Sequence, residues 1–137
     1  VTNMFDAQIA KYRSLNQLAE ADGTVIFGTS SDTNIPLGEL KQAFALNDSI
    51  YNRSFSQLSV ADAAKVYGEC VAELCPDTVL LHIGETDVSD FAGNESAFEE
   101  AYRDLIGTVR ALLPVWRNGW CSARSSCRLT RHVSATR

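Results

Sequence analysis

Two short polar stretches in this chain each follow a compact apolar run, and together they hold the residue types that acyl chemistry needs. Gly28-Thr29-Ser30-Ser31-Asp32 follows the run Thr24 to Phe27, and Gly84-Glu85-Thr86-Asp87 follows the run Thr78 to Ile83. A serine hydroxyl set among backbone N–H groups and polar side chains suits attack on an acyl carbon, because the tetrahedral oxyanion needs fixed donors. Ser30 is therefore the candidate nucleophile. The turn Asn52-Arg53-Ser54, after a third apolar segment, is the candidate neighbour, and Gly84, Thr86 and Asp87 are the candidate rim.

Other chemistry fits these stretches less well. The first loop lacks the last Gly of the α/β-hydrolase elbow and the Gly-Lys of a phosphate loop. Glu85, Asp87 and Asp90 have the oxygens of a hard-cation site, but acidic residues near helix starts are commonly solvated or capping. The cysteines, spaced C-x4-C at Cys70 and Cys75 and C-x5-C at Cys121 and Cys127, match no common zinc pattern and read as idle thiols. No cofactor and no metal is expected. His82, inside the run Thr78 to Ile83, reads as a core imidazole with one hydrogen-bond partner.

The elements that must position these residues follow from periodicity. Phe5, Ile9, Tyr12, Leu15 and Leu18 recur at helical spacing within Met4 to Glu20, and Gly23 is placed to cap that helix in the left-handed conformation. Thr24 to Phe27 is a strand, Pro36 opens a short helix with Leu37, Leu40 and Phe44, and Ser49 to Asn52 is a second strand. Ser59, with Asp62 three residues on, starts a helix that Pro76 ends. The run Thr78 to Ile83 has the near-unbroken apolar character of a strand buried on both faces. A long helix capped by Asn94 or Ser96 carries Phe98, Leu105, Val109 and Leu112 to Pro114.

Helix and strand alternate, so the fold class is α/β: a three-layer α/β/α sandwich on a parallel, flavodoxin-like sheet with right-handed crossovers. With the first strand central, the switch point lies between the strands ending at Phe27 and Ile83, where ligands bind in such sheets. Residues 1–114 form this domain, and 115–137 a basic tail rich in Arg, Ser and Cys in which the periodicity fails.

Composition sets outer bounds. The 137 residues, 45% hydrophobic and 21% charged, suit one domain, and the net charge of −5 argues against nucleic acid as a partner. Every acidic residue lies at or before Asp104, whereas Arg117, Arg124, Arg128, Arg131 and Arg137 crowd the tail. No apolar run approaches the roughly 18 residues of a membrane span. The N-terminus lacks the regions of a secretory signal, so no membrane partner and a cytoplasmic location are expected. Uncovered apolar surface on a domain short of its last strands predicts a homo-oligomer.

From Thr24 to Pro114 the chain resembles an SGNH, or GDSL-type, hydrolase. Val25-Ile26-Phe27-Gly28-Thr29-Ser30 resembles the family's buried strand running into Gly-Asp-Ser. Ile50-Tyr51-Asn52-Arg53-Ser54 is similar to its Asn-Arg-Gly turn, and Leu81-His82-Ile83-Gly84-Glu85-Thr86-Asp87 to its strand and Gly-x-Asn-Asp. The resemblance implies a Ser30 nucleophile, with its own N–H, the N–H of Ser54 and the side chain of Thr86 around the oxyanion, acting on a small ester or acetylated carbohydrate.

Three positions depart from the family pattern: Thr29 stands for Asp, Ser54 for Gly, and Thr86 for the Asn whose amide donates to the oxyanion. Loss of one such donor typically costs about 10²–10³ in rate. The family's closing Asp-x-x-His is matched by Leu129-Thr130-Arg131-His132, which leaves His132 as the candidate base without an orienting carboxylate. Three readings follow. The first is a serine ester hydrolase, weak at most. The second is an inactive binding or structural protein of the same fold. The third, a phosphoryl acceptor, is disfavoured because hydroxyls rather than paired acids follow Phe27.

Overall fold

The computed structural model describes residues 4–113 together with two short strands, Trp116–Arg117 and Trp120–Cys121. Its sheet is parallel, in the order β2-β1-β3, with β1 at Thr24–Gly28, β2 at Ile50–Asn52 and β3 at Thr78–His82. Thr24 pairs with both Ile50 and Thr78, and the β1–β3 register runs on to Gly28 opposite His82. The first strand is central and lies beside the third, which puts the switch point where the sequence places it. Trp116–Arg117 and Trp120–Cys121, β4 and β5, pair antiparallel as a separate ladder.

Among the described residues four α-helices flank the sheet: α1 (Asp6–Asn16), α2 (Leu37–Ala43), α3 (Val60–Val66) and α4 (Glu95–Leu112). Right-handed crossovers from β1 to β2 and back to β3 send α2 to one face and α3 to the other. The core lies on the α3 side. Val25 and Phe27 of β1 are fully buried there with Val66, Tyr67, Cys70 and Val71, and with Leu105 and Val109 of α4. Phe55 sits at its end, edge-on to Phe5, Tyr12 and Phe27.

The helix starts follow side-chain chemistry. Ser59 caps α3 by accepting from Asp62 N–H at 3.2 Å, as its spacing predicts. After Val66 the helix widens into a π turn, Tyr67–Val71, and then tightens into a 3-10 turn, Ala72–Leu74, ending at Cys75 in the left-handed conformation. Cys70 is a buried free thiol pushed up to about 12 by burial, its Sγ directed at Val66 O. Cys75 is disulfide-bonded, so it is not the idle thiol expected.

Several local expectations are corrected. The first helix stops at Asn16, not Glu20, because the Asn16 amide donates to Cys70 O at 2.6 Å and to Glu73; Leu15 and Leu18 are left exposed. The left-handed residue before β1 is Asp22 rather than Gly23. Gly23 is required by close approach instead, since a Cβ there would stand 2.5 Å from Ser49 O. Asn94 occupies the N-cap of α4 without a side-chain hydrogen bond to it.

The largest correction concerns β3, which is not buried on both faces. Its residues alternate between exposed and half-buried, and Leu80 is 53% exposed. β3 is the edge of the described sheet, and the short α2, which buries none of its residues, does not cover the face that Leu80 and His82 share. No helix among the described residues is long and apolar enough to cross a membrane.

Candidate functional site

The stretch after β1 is not an open loop. Ser30–Asn34 winds into a 3-10 helix with Thr29 at its N-cap, so the chain curls back over the end of its own strand. Ser30 is half-buried, and its Oγ accepts from Gln57 N–H at 2.9 Å. Thr33 Oγ1 donates to Ser30 O at 2.8 Å, which fixes the backbone on the other side. As the first helical residue, Ser30 has no intrahelical acceptor for its own N–H.

Beside it opens a cleft of about 490 Å³ lined by Met4, Phe5, Gln8, Thr33 and Ser54 to Gln57. Both residues that hold Ser30, Gln57 and Thr33, stand in its wall. Its lining mixes apolar Met4, Phe5 and Phe55 with polar Gln8, Thr33 and Ser56, which suits a small molecule with one apolar end.

The Asn52-Arg53-Ser54 turn lies beside the Ser30 turn, as the β2–β1 pairing requires. Asn52 Oδ1 accepts from Ser54 N–H at 3.0 Å, and Asn52 Nδ2 donates to Asp32 O at 2.7 Å. Ser54 is fully buried; its Oγ accepts from Gly28 N–H at 3.1 Å, and its carbonyl accepts from Tyr12 Oη at 2.6 Å. The Ser54 N–H expected at the oxyanion is thus engaged inside its own turn, and Asn52 is a brace for two loops. Arg53 is buried, with its guanidinium over the Tyr12 and Tyr51 rings and its Nε donating to Asn16 Oδ1. Burial lowers the Arg53 pKa and raises that of Tyr12.

On the β3 side, Gly84 adopts φ 127° and starts a short 3-10 turn, Glu85–Asp87. A positive φ of this size favours glycine. The Thr86 hydroxyl lies 3.1 Å from the Thr29 hydroxyl, so two of the three substituted positions pair with each other across the crevice. Ser31 Oγ donates to Glu85 at 3.0 Å. Asp87 does not face the crevice. It is buried and accepts from Val60 N–H through both oxygens, at 3.2 and 3.0 Å, which makes it a cap on α3. Burial raises its pKa, the Val60 N–H lowers it, and Asp90 and Asp62 raise it further.

His82 is exposed rather than in the core, because it sits at the end of β3 on the uncovered face. Its Nδ1 lies 2.7 Å from Asp32 Oδ2, and the same oxygen accepts from Thr29 N–H at 3.2 Å. Asp32 and Gln57 are the residues that the sequence reading missed. The Thr29-x-x-Asp32 spacing, that of a capping box, is the signal that points to Asp32. His132 lies outside the described residues, and among these no group of three His, Cys, Asp or Glu is placed to hold a metal ion.

No family model matches the chain, and no curated protein matches it. Solved structures do share its fold. A provisionally assigned platelet activating factor from Streptococcus pneumonia superposes with a TM-score of 0.58 at 21% identity, over 80% of this chain and 51% of that one. A provisionally assigned GDSL-like lipase from Parabacteroides merdae superposes with a TM-score of 0.51 at 19% identity, over 69% of this chain and 56% of that one. The chain therefore spans about half the length of each, and its fold is SGNH/GDSL-like.

Proposed function

We propose that the chain is a serine ester hydrolase of the SGNH/GDSL kind, slow in turnover, with Ser30 as nucleophile. The observation that carries the reading is the setting of Ser30. It stands on the first turn after the central strand and at the switch point. Its Oγ is held by Gln57 N–H, beside a cleft whose walls are part apolar and part polar. The likeness in fold to a protein described as a GDSL-like lipase supports the same class.

In this reading Ser30 Oγ bonds to the carbonyl carbon of a small ester or acetylated carbohydrate, the ester C–O bond breaks, and the alkoxide leaves as the alcohol with the proton that the Ser30 hydroxyl gives up. Water then adds to the acyl carbon, the bond to Ser30 Oγ breaks, the carboxylic acid is released, and a proton from that water restores the serine hydroxyl. The Ser30 N–H faces the oxyanion, with help from the Thr86 hydroxyl once that hydroxyl turns from Thr29. Turnover is slow because a threonine hydroxyl is a poorer oxyanion donor and the Ser54 N–H is committed to Asn52. No cofactor takes part.

A second reading, an inactive binding protein of this fold, is favoured by the same two hydrogen bonds, since two of the three groups expected around the oxyanion, the Ser54 N–H and the Thr86 hydroxyl, are engaged inside the loops. The readings separate on hydrolysis of p-nitrophenyl acetate by the parent, Ser30→Ala and His132→Ala. With base and orienter lacking, a serine hydrolase still retains roughly 10³–10⁴ over water. Slow turnover lost in Ser30→Ala and nearly unchanged in His132→Ala is the expected result. Robust turnover abolished by His132→Ala would mean that the tail supplies the base, and turnover indifferent to Ser30→Ala would leave the binding reading.

A further inference from the structure

Asp32 is the point at which all three strand ends meet. Its carboxylate lies over Gly28 at the end of β1, so close that a Cβ on Gly28 would be 2.1 Å from Oδ2. That oxygen accepts from Thr29 N–H and faces His82 Nδ1 at the end of β3, while its main-chain oxygen accepts from Asn52 Nδ2 at the end of β2. Asp32 N–H closes the turn on Thr29 O at 3.0 Å. Ser30 and Ser31 are the residues enclosed by this turn. No carboxylate is available at position 29, where threonine stands, and the one three residues later reaches back to the Thr29 amide.

We infer that Asp32 and His82 form a positioning pair for Ser30. The imidazole holds the carboxylate through Nδ1, and the carboxylate holds the Thr29 amide and with it the direction in which Ser30 leaves the strand. This rests on the hydrolase reading for its catalytic consequence, but not for the pair itself. His82 acts through Asp32, and its Nε2 has no part in the reaction. Ser30 Oγ faces Gln57 on the β2 side, whereas His82 stands on the β3 side of β1.

The test exploits the shape of asparagine, whose amide nitrogen falls near the place of Nδ1 and which has nothing at Nε2. Turnover of p-nitrophenyl acetate is measured for the full chain and for His82→Asn, His82→Ala and Asp32→Ala, with amide hydrogen exchange at Thr29 followed in each. A misplacement of about 1 Å at a reacting group can cost 10²-fold, so His82→Ala and Asp32→Ala are expected to lose about tenfold or more in kcat at similar KM. Both should also exchange the Thr29 amide faster, while His82→Asn stays near the parent in both respects. If His82→Asn loses as much turnover as His82→Ala, Nε2 is the active atom and the inference is overturned. A parent without Ser30-dependent turnover would sink the hydrolase reading alone; Thr29 exchange then decides the pair, and unchanged exchange in His82→Ala overturns it.

Discussion

Asn52 Oδ1 accepts the Ser54 N–H at 3.0 Å while the other end of the same amide donates to Asp32 O at 2.7 Å. One side chain thus spends its acceptor on the turn after β2 and its donor on the turn after β1. Asn52→Asp keeps the first bond and puts a second oxygen against the Asp32 carbonyl. Leaving a partly buried acceptor unpaired costs about 1–3 kcal/mol, so the variant is expected to lose that much stability in urea unfolding at neutral pH. A loss below a few tenths would show that the brace is dispensable.

Asp87 gives the fold a pH dependence of definite sign. Its folded pKa is raised, first by burial, so its contribution to stability is full below the unfolded carboxylate pKa and is lost as pH rises through the folded one. Asp87→Asn removes the titration and keeps one acceptor for Val60 N–H. The melting temperature of the variant relative to the parent should therefore climb between about pH 3 and pH 7. A difference that is flat, or that falls with pH, contradicts the assignment.

Tyr67 packs edge-on against Phe27, but its hydroxyl is buried with no hydrogen-bond partner among the described residues, and burial pushes its pKa up to about 12. A buried unsatisfied polar group costs about 1–3 kcal/mol, whereas the ring contact survives loss of the oxygen. Tyr67→Phe is expected to stabilise the chain, read as a higher urea midpoint with an unchanged slope. A destabilised Tyr67→Phe would reveal a partner for the hydroxyl in solution.

The parts of this molecule that were legible in the sequence are those set by neighbours along the chain. The cap of Ser59 on Asp62 N–H is a three-residue affair, and the placing of β1 beside β3 follows once the alternating elements take the flavodoxin-like order with the first strand central. What escaped depends on groups far apart in sequence. The exposure of His82 is decided by what lies across the face of β3, and the pairing of Asp32 with it by the tight curl of a 3-10 turn. The committed Ser54 N–H lies between these cases, because an Asn side chain often bonds the backbone two residues on. That habit is readable in Asn52-Arg53-Ser54, whereas the family likeness implies a free N–H at Ser54.

The burial of Cys70 turns an inert side chain into a gauge. A thiol held that far above its ordinary pKa, with its sulfur turned toward Val66 O, reacts with an alkylating agent only when the π turn parts from α1 and the rest of the core. Each modified Cys70, located by peptide mass, therefore records one excursion of the molecule to an open form. The rate at which such marks accumulate measures how often this core breathes, with no probe added to the protein.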